Sequence, residues 1–295
     1  LISNFYLNNF GPTKELKLGD YSFKLSSPEK IVNASSSIEQ FEPNMRFYHN
    51  ILSYYIDNQC SEDKKSRMLE AFSMLQEETG ILSFYPLSDE YNADIFVACS
   101  EEYLEQEKNI FIAGEGGPTK FYNLSIYPVI LRGSIVLYKE SECAFPSTEM
   151  HELLHVFGFE HINDSNSIMY PYVNCNNKDS YRNYATILRH LYSIEPLPEL
   201  YFTNITAEKK GIYLDFSARL RNEGMIEAKN ISLNLYADKE KITSFDLGDI
   251  DMGSGKIFSA SNVKLDSRDA EEIKFEIYYN GKEFDKLNNF AELTI

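Results

Sequence analysis

Basic residues are in deficit. Lys and Arg number 28 against 45 Asp and Glu, a formal net charge of −17 over 295 residues. A nucleic-acid binder needs a basic face to neutralise phosphates, and docking on anionic lipid needs one too, so both partner classes are argued against. Long apolar runs are also missing: none approaches the ~18–20 residues that a membrane helix requires. Cysteine is sparse. Cys60, Cys99, Cys143 and Cys175 form no Cys-x-x-Cys pair, which speaks against a cysteine zinc ribbon or a thioredoxin-like site. Four cysteines allow three disulfide pairings, and the sequence alone does not choose among them or against four buried thiols. No repeat at periods of about twenty to fifty residues is evident. Histidine is scarce as well, at five residues, yet His151, His155 and His161 fall within one short stretch.

What is present is an ordinary globular composition, 43% hydrophobic and 25% charged. At about 150 residues per domain the length indicates two domains. Residues 1–43 carry breakers at Gly11-Pro12, Ser26-Ser27-Pro28 and Ser35-Ser36-Ser37 and read as an N-terminal arm or hairpin. An extended stretch follows over Met45–Ile56. Ser61 is an N-cap, with Glu62 and Asp63 in the first turn. Met68, Ala71, Phe72 and Leu75 recur at helical spacing until Gly80, so a helix is expected between. Ile81–Leu87 and Ala93–Cys99 read as strands. The polar stretch 101–120, ending in Glu115-Gly116-Gly117-Pro118, reads as loop. Leu124–Leu131 and Ser134–Lys139 read as two strands divided by Arg132-Gly133, the first an edge strand because it contains Pro128. Helices are expected over about Thr148–Phe157 and Ser180–Tyr192. The order of elements gives an α/β (α+β) domain over 44–195, with a mixed, mostly parallel sheet and three helices.

Pro196 and Pro198 then interrupt the chain. Beyond them Ile212–Leu220, Ile231–Leu235 and Ile273–Ile277 alternate apolar and polar residues, with turns at Asn222-Glu223-Gly224, Met252–Gly255 and Asn280-Gly281. This period of two predicts an all-β sandwich over 199–295.

The chemistry is concentrated at 151–161, His-Glu-Leu-Leu-His-Val-Phe-Gly-Phe-Glu-His. His151 and His155 are one helical turn apart, so their imidazoles share a face and can bind one zinc ion. Glu152 stands where a carboxylate reaches a water at the metal's open position. A straight helix cannot present residue 161 to the same metal. The chain must turn at Gly158, where glycine permits a positive φ. The metal ligands expected are therefore His151, His155 and His161, with Glu152 catalytic.

These residues resemble the signature of the metzincin zinc peptidases, His-Glu-x-x-His-x-x-Gly-x-x-His followed by a Met-turn. Ser167-Ile168-Met169-Tyr170-Pro171 matches that turn, and its Met-Tyr-Pro form resembles the matrixin branch. The resemblance spans about residues 44–193. It implies a zinc-dependent endopeptidase acting on peptide or protein substrates with one catalytic Zn2+, Met169 as an apolar floor beneath the ligands, and Tyr170, Pro171, Tyr172 and Val173 near the substrate pocket. It also implies that substrate adds as a strand to the edge strand, identified with Leu124–Leu131. Parallel strands as in the family bring Cys60 and Cys99 to one edge of the sheet and leave Cys143 with Cys175. An extracytoplasmic location, secreted or at the cell surface, and a monomer are expected, with any signal or anchor outside this sequence. Three departures stand out. No Pro-Arg-Cys-Gly pro-segment occurs. Val173 occupies the place where matrixins commonly carry Tyr, with Tyr172 one residue early. The loop 101–120 has no His, so the family's extra zinc and calcium ligands do not map onto it, and structural calcium is left open. The C-terminal part resembles an adhesion-type Ig-like module over Leu220–Asp238 and at Asn288-Asn289, with a generic sandwich spacer as the other reading. Two further classes stay open: a catalytically silent surface-binding or adhesion protein with a structural zinc site, and a precursor restrained by residues 1–43. His49 and His190 are read as structural.

Overall fold

The computed structural model describes residues 4–10, 38–100, 105–107, 110–138 and 143–294. Most of the expected arm or hairpin, and parts of the stretch 101–120, lie outside them. The chain divides into two compact units, one of residues 28–123 and 127–195, the other of 1–27, 124–126 and 196–295. The first strand, β1 (Asn4–Phe10), belongs to the second of these.

The first unit is built on a mixed sheet. Its strands are β2 (Arg46–Phe47), β3 (Ile51–Ile56), β4 (Ser83–Pro86) and β5 (Ile95–Cys99). A small two-stranded ribbon, β6 (Glu105–Glu107) with β7 (Ile110–Phe111), precedes β8 (Gly114–Tyr122) and β9 (Val129–Leu137). β3 runs parallel to β4 and β5, β9 runs parallel to β5 and β2, and β8 alone is antiparallel, on β9. Helix α1 (Glu62–Thr79) starts at Ser61, whose Oγ accepts the N–H of Lys64 at 3.3 Å, and ends at Gly80 with φ 64°. It buries Met68, Ala71, Phe72 and Leu75, the stripe read from the sequence. Helix α2 (Ser147–Val156) lies against β8 and β9, and α3 (Tyr181–Tyr192) packs on α1. Two disulfides, Cys60–Cys99 and Cys143–Cys175, tie the start of α1 to the end of β5 and the entry of α2 to the chain beyond Met169. His49 lies 3.3 Å from Asp94, whose other carboxylate oxygen accepts both the N–H and the hydroxyl of Ser53. His190 is on the exposed side of α3.

One assignment is corrected. The edge strand is Gly114–Tyr122, which starts inside the stretch read as loop and runs two residues past it, whereas Leu124–Pro128 lies outside any strand and Val129–Leu137 is one continuous inner strand. Gly116, in the stretch read as a breaker, marks a close backbone approach instead. A Cβ at Gly116 would stand 2.3 Å from the carbonyl oxygen of Glu152. Pro118 is tolerated because the strand is an edge, and the register shifts there as a bulge.

The second unit is a β-sandwich. One antiparallel sheet has the order β1-β14-β11-β10, with β10 Leu200–Lys210, β11 Tyr213–Asn222 and β14 Gly255–Lys264. The other has the order β13-β12-β15-β16, with β12 Ala228–Ala237, β13 Glu240–Ile250, β15 Glu272–Tyr278 and β16 Phe290–Thr294. Leu214, Phe216, Leu233, Phe258 and Phe275 fill the core between them. The Asn-Glu-Gly turn is a buried knot. Asn222 accepts from Glu199 N and Gly224 N and donates to the carbonyls of Ile226 and Ile250, and a Cβ at Gly224 would strike Pro198 and Glu199 at 2.3 Å. Asn288 and Asn289 donate to the carboxylates of Glu199 and Glu283, which in turn accept from Asp285 N and Leu200 N.

Candidate active site

Helix α2 carries His151, Glu152 and His155 and buries Leu153, Leu154 and Val156 on its other side. The helix closes at Phe157, where Gly158 N bonds to His155 O at 2.8 Å and Phe159 N to Leu154 O at 3.3 Å. Gly158 then takes φ 82°, a conformation that L side chains rarely adopt, and the chain reverses. A short segment that sequence reading placed in the N-terminal arm secures this reversal. Phe41 N donates to Gly158 O, Glu160 N donates to Glu39 O, and the buried Gln40 amide donates to the carbonyls of Phe157 and Met45. Nothing local in the sequence marks Gln40 for this task.

His161 is thereby brought back to its two partners. The three Nε2 atoms form a triangle with each side 3.0 Å. His151 Nδ1 lies 2.6 Å from Ile168 O, and His155 Nδ1 lies 2.7 Å from Phe159 O. A carbonyl only accepts, so both Nδ1 atoms carry the proton, and both facing Nε2 atoms present lone pairs. Lone pairs converging at this distance repel unless a cation lies among them. Tetrahedral zinc with Zn–N bonds of about 2.0–2.1 Å spaces its nitrogens about 3.3 Å apart, close to the triangle seen. Burial holds His151 down at about 3, with His155 adding to the effect, and holds His155 down at about 4; burial also lowers His161, so all three are neutral ligands at neutral pH. Among the described residues this is the one group of His, Cys, Asp or Glu that can hold a metal. The donor set fits zinc, and three protein ligands leave a fourth position for water, as in catalytic rather than structural sites.

Glu152 is 5% exposed and lies beneath the start of β8. A Cβ on Gly114 would be 2.9 Å from its Oε1, so the strand glycines make the room that this carboxylate occupies. Burial, followed by the charges of Glu115 and Glu149, raises its pKa to about 8. Glu149, itself buried and raised by burial, takes the Arg67 guanidinium at 3.3 Å. Arg67 also donates to the carbonyls of Cys143 and Phe145, fixing the approach to α2.

Met169 is fully buried. Its carbonyl accepts from Ile162 N, its N–H donates to Ser167 Oγ, and Asn177 donates to Ser167 O. Ser180 Oγ accepts from Ile168 N, so the carbonyl that orients His151 sits on a pinned turn. Of the pocket candidates, Tyr170 and Tyr172 pack at 5.6 Å between ring centres, while Pro171, Tyr172 and Val173 are exposed. Gly114, Glu115 and Gly116 were not singled out for the site. The signal that identifies them is a strand-like run with glycines at every second position, which marks backbone packed against backbone.

The family model Matrixin matches residues 46–193. No curated protein matches the chain. Similar solved structures include the CARDB domain of a Pyrococcus furiosus protein, at 13% identity over 34% of this chain and 87% of that one with a TM-score of 0.28. High choriolytic enzyme 1, a hatching enzyme zinc-protease from the medaka fish Oryzias latipes, is 14% identical over 48% of this chain and 90% of that one, with a TM-score of 0.31. Archaemetzincin from Methanopyrus kandleri is 15% identical over 50% and 97%, with a TM-score of 0.30.

Proposed function

The chain belongs to the matrixin family of zinc metallopeptidases, and we propose that it is an endopeptidase in which His151, His155 and His161 hold the catalytic zinc and Glu152 moves the proton. The observation that carries this reading is the 3.0 Å triangle of Nε2 atoms, with two Nδ1 protons already committed to carbonyls. Zinc bound there supplies Lewis-acid chemistry, making its water acidic near neutral pH and polarising a carbonyl. The Glu152 carboxylate takes the proton of the attacking water and returns it to the leaving amine. Burial favours that return, and a zinc ion held by the neighbouring histidines would favour the ionised carboxylate that takes the proton first. The turn at Met169 orients His151 through the Ile168 carbonyl, and we read it as the family's Met-turn, with Tyr170 to Val173 lining the specificity pocket. Two disulfides support an oxidising, extracytoplasmic setting, secreted or at the surface. Residues 44–195 form the peptidase domain in this reading, and 199–295 an Ig-like sandwich.

The test is to purify the chain and its Glu152→Ala variant with zinc and compare metal content and cleavage of casein-like or peptide substrates. One zinc per chain is expected in both. Removing a general acid–base group costs about 10²–10⁴ in rate, so cleavage should nearly vanish in the variant. Full activity there would overturn the assignment. Zinc retained with no cleavage by either protein would favour a silent binding protein.

A further inference from the structure

The outer edge of β8 has a defined pattern of donors. Gly133 N bonds to Asp94 O and Leu137 O accepts from Ser100 N, so alternate residues of β9 turn their polar groups toward β5. Tyr138 N bonds to Ala113 O, which sets the intervening ones toward β8. Glu115 and Gly117, registered with Val136 and Ser134, therefore bond inward to β9. Gly114, Gly116 and Pro118 point their polar groups outward. Among the described residues β8 pairs with β9 alone and no strand lies on its outer edge, where Pro118 contributes a carbonyl but no N–H. Gly114 and Gly116 face α2 and Glu152. Glu115 stands on the opposite face, exposed, and its Oε2 accepts from the hydroxyl of Tyr138 at 3.0 Å.

We propose that Glu115 is a specificity-determining residue that selects a lysine or arginine on the acyl side of the scissile bond. The inference rests on the peptidase reading above, with substrate added antiparallel to β8. A strand bonded to Gly114 and Gly116 places its intervening residue directly across from Glu115, in a non-hydrogen-bonded pair with both side chains on one face and Cβ atoms about 4.5–5.5 Å apart. Opposite charges in such pairs attract and like charges repel. The antiparallel direction makes the residue facing Glu115 precede the one facing Gly114. The carboxylate of Glu152 lies beside Gly114, whereas Gly116 meets only its backbone, so the selected residue falls N-terminal to the bond being cut. Tyr138 holds the carboxylate in place, which lowers the ordering cost of the pairing.

The test uses the zinc-loaded full chain and neutral peptides carrying Lys, Gln or Glu singly at each of the four residues before the cleavage site. At one position kcat/KM should favour Lys over Gln by about two- to fivefold and disfavour Glu by a similar factor. The ratio should collapse toward one in Glu115→Gln, invert in Glu115→Lys, and shrink in high salt. Ratios within each variant cancel any general change in activity. Equal cleavage of all peptides, or a Lys preference that survives Glu115→Gln, overturns this inference and leaves the peptidase reading standing. A zinc-loaded protein that cleaves none of them overturns both.

Discussion

At the scale of single residues, the glycines of β8 show how a missing side chain builds a site. Gly116→Ala puts a methyl group 2.3 Å from the backbone oxygen of Glu152, where no rotamer change relieves the overlap. The strand must lift from the helix. The expected result is a loss of about 1–3 kcal/mol in urea unfolding and, on the proposed function, about a hundredfold loss in kcat/KM from misplacement beside Glu152. Gly117→Ala is the matched control, since its Cβ meets nothing within 4 Å; it should change stability by no more than about 0.5 kcal/mol. The histidine triad was legible because its letters encode local geometry: a helical turn between His151 and His155, and a left-handed glycine before His161. Gly114 and Gly116 were not, because the backbone they accommodate lies some forty residues onward in sequence. A local reading sees a turn former where the fold needs a thin strand.

At the scale of elements, helix α2 is held from both ends by covalent and polar ties. Cys143–Cys175 closes a separation of 32 residues that contains α2, the reversal at Gly158 and the turn at Met169. Replacing both cysteines by serine should lower the stability of this unit by about 3–4 kcal/mol, the chain-entropy expectation for a loop of that size. Urea unfolding followed alongside zinc retention checks it, and a variant as stable as the parent would count against the tie. Helix α1 and its cap were legible to within a residue, because Ser61, Gly80 and the apolar stripe are local signals. The inner strand Val129–Leu137 was split at Arg132-Gly133 in the sequence reading. The structure shows why glycine sits there without a break: a Cβ at Gly133 would be 2.5 Å from a methyl carbon of Val156, so the position is small in order to seat the helix.

At the scale of the whole molecule, each unit has its own core and its own sensitivity to solution conditions. In the sandwich, Glu283 is buried, and burial raises its pKa to about 7, with the neighbouring Glu199 adding to the effect. The folded state thus keeps a proton that the unfolded chain has released above about pH 4.5. Stability from this group is full below that value, falls as pH rises toward 7, and is flat above it. Glu283→Gln mimics the protonated form, so the drop in urea midpoint of the sandwich between pH 5 and pH 8 should be smaller in the variant. An unchanged pH dependence would show that the buried carboxyl does not titrate in this range.

The pairing of β1 with β14 has a consequence for biosynthesis. Phe10 aligns with Gly255, about 245 residues later in the chain. At about 5–20 residues per second, β1 waits roughly 12–50 s after its own synthesis for its partner. The whole first unit described above is synthesised in that interval, so it can collapse while the sandwich strand that pairs with β1 is still unmade.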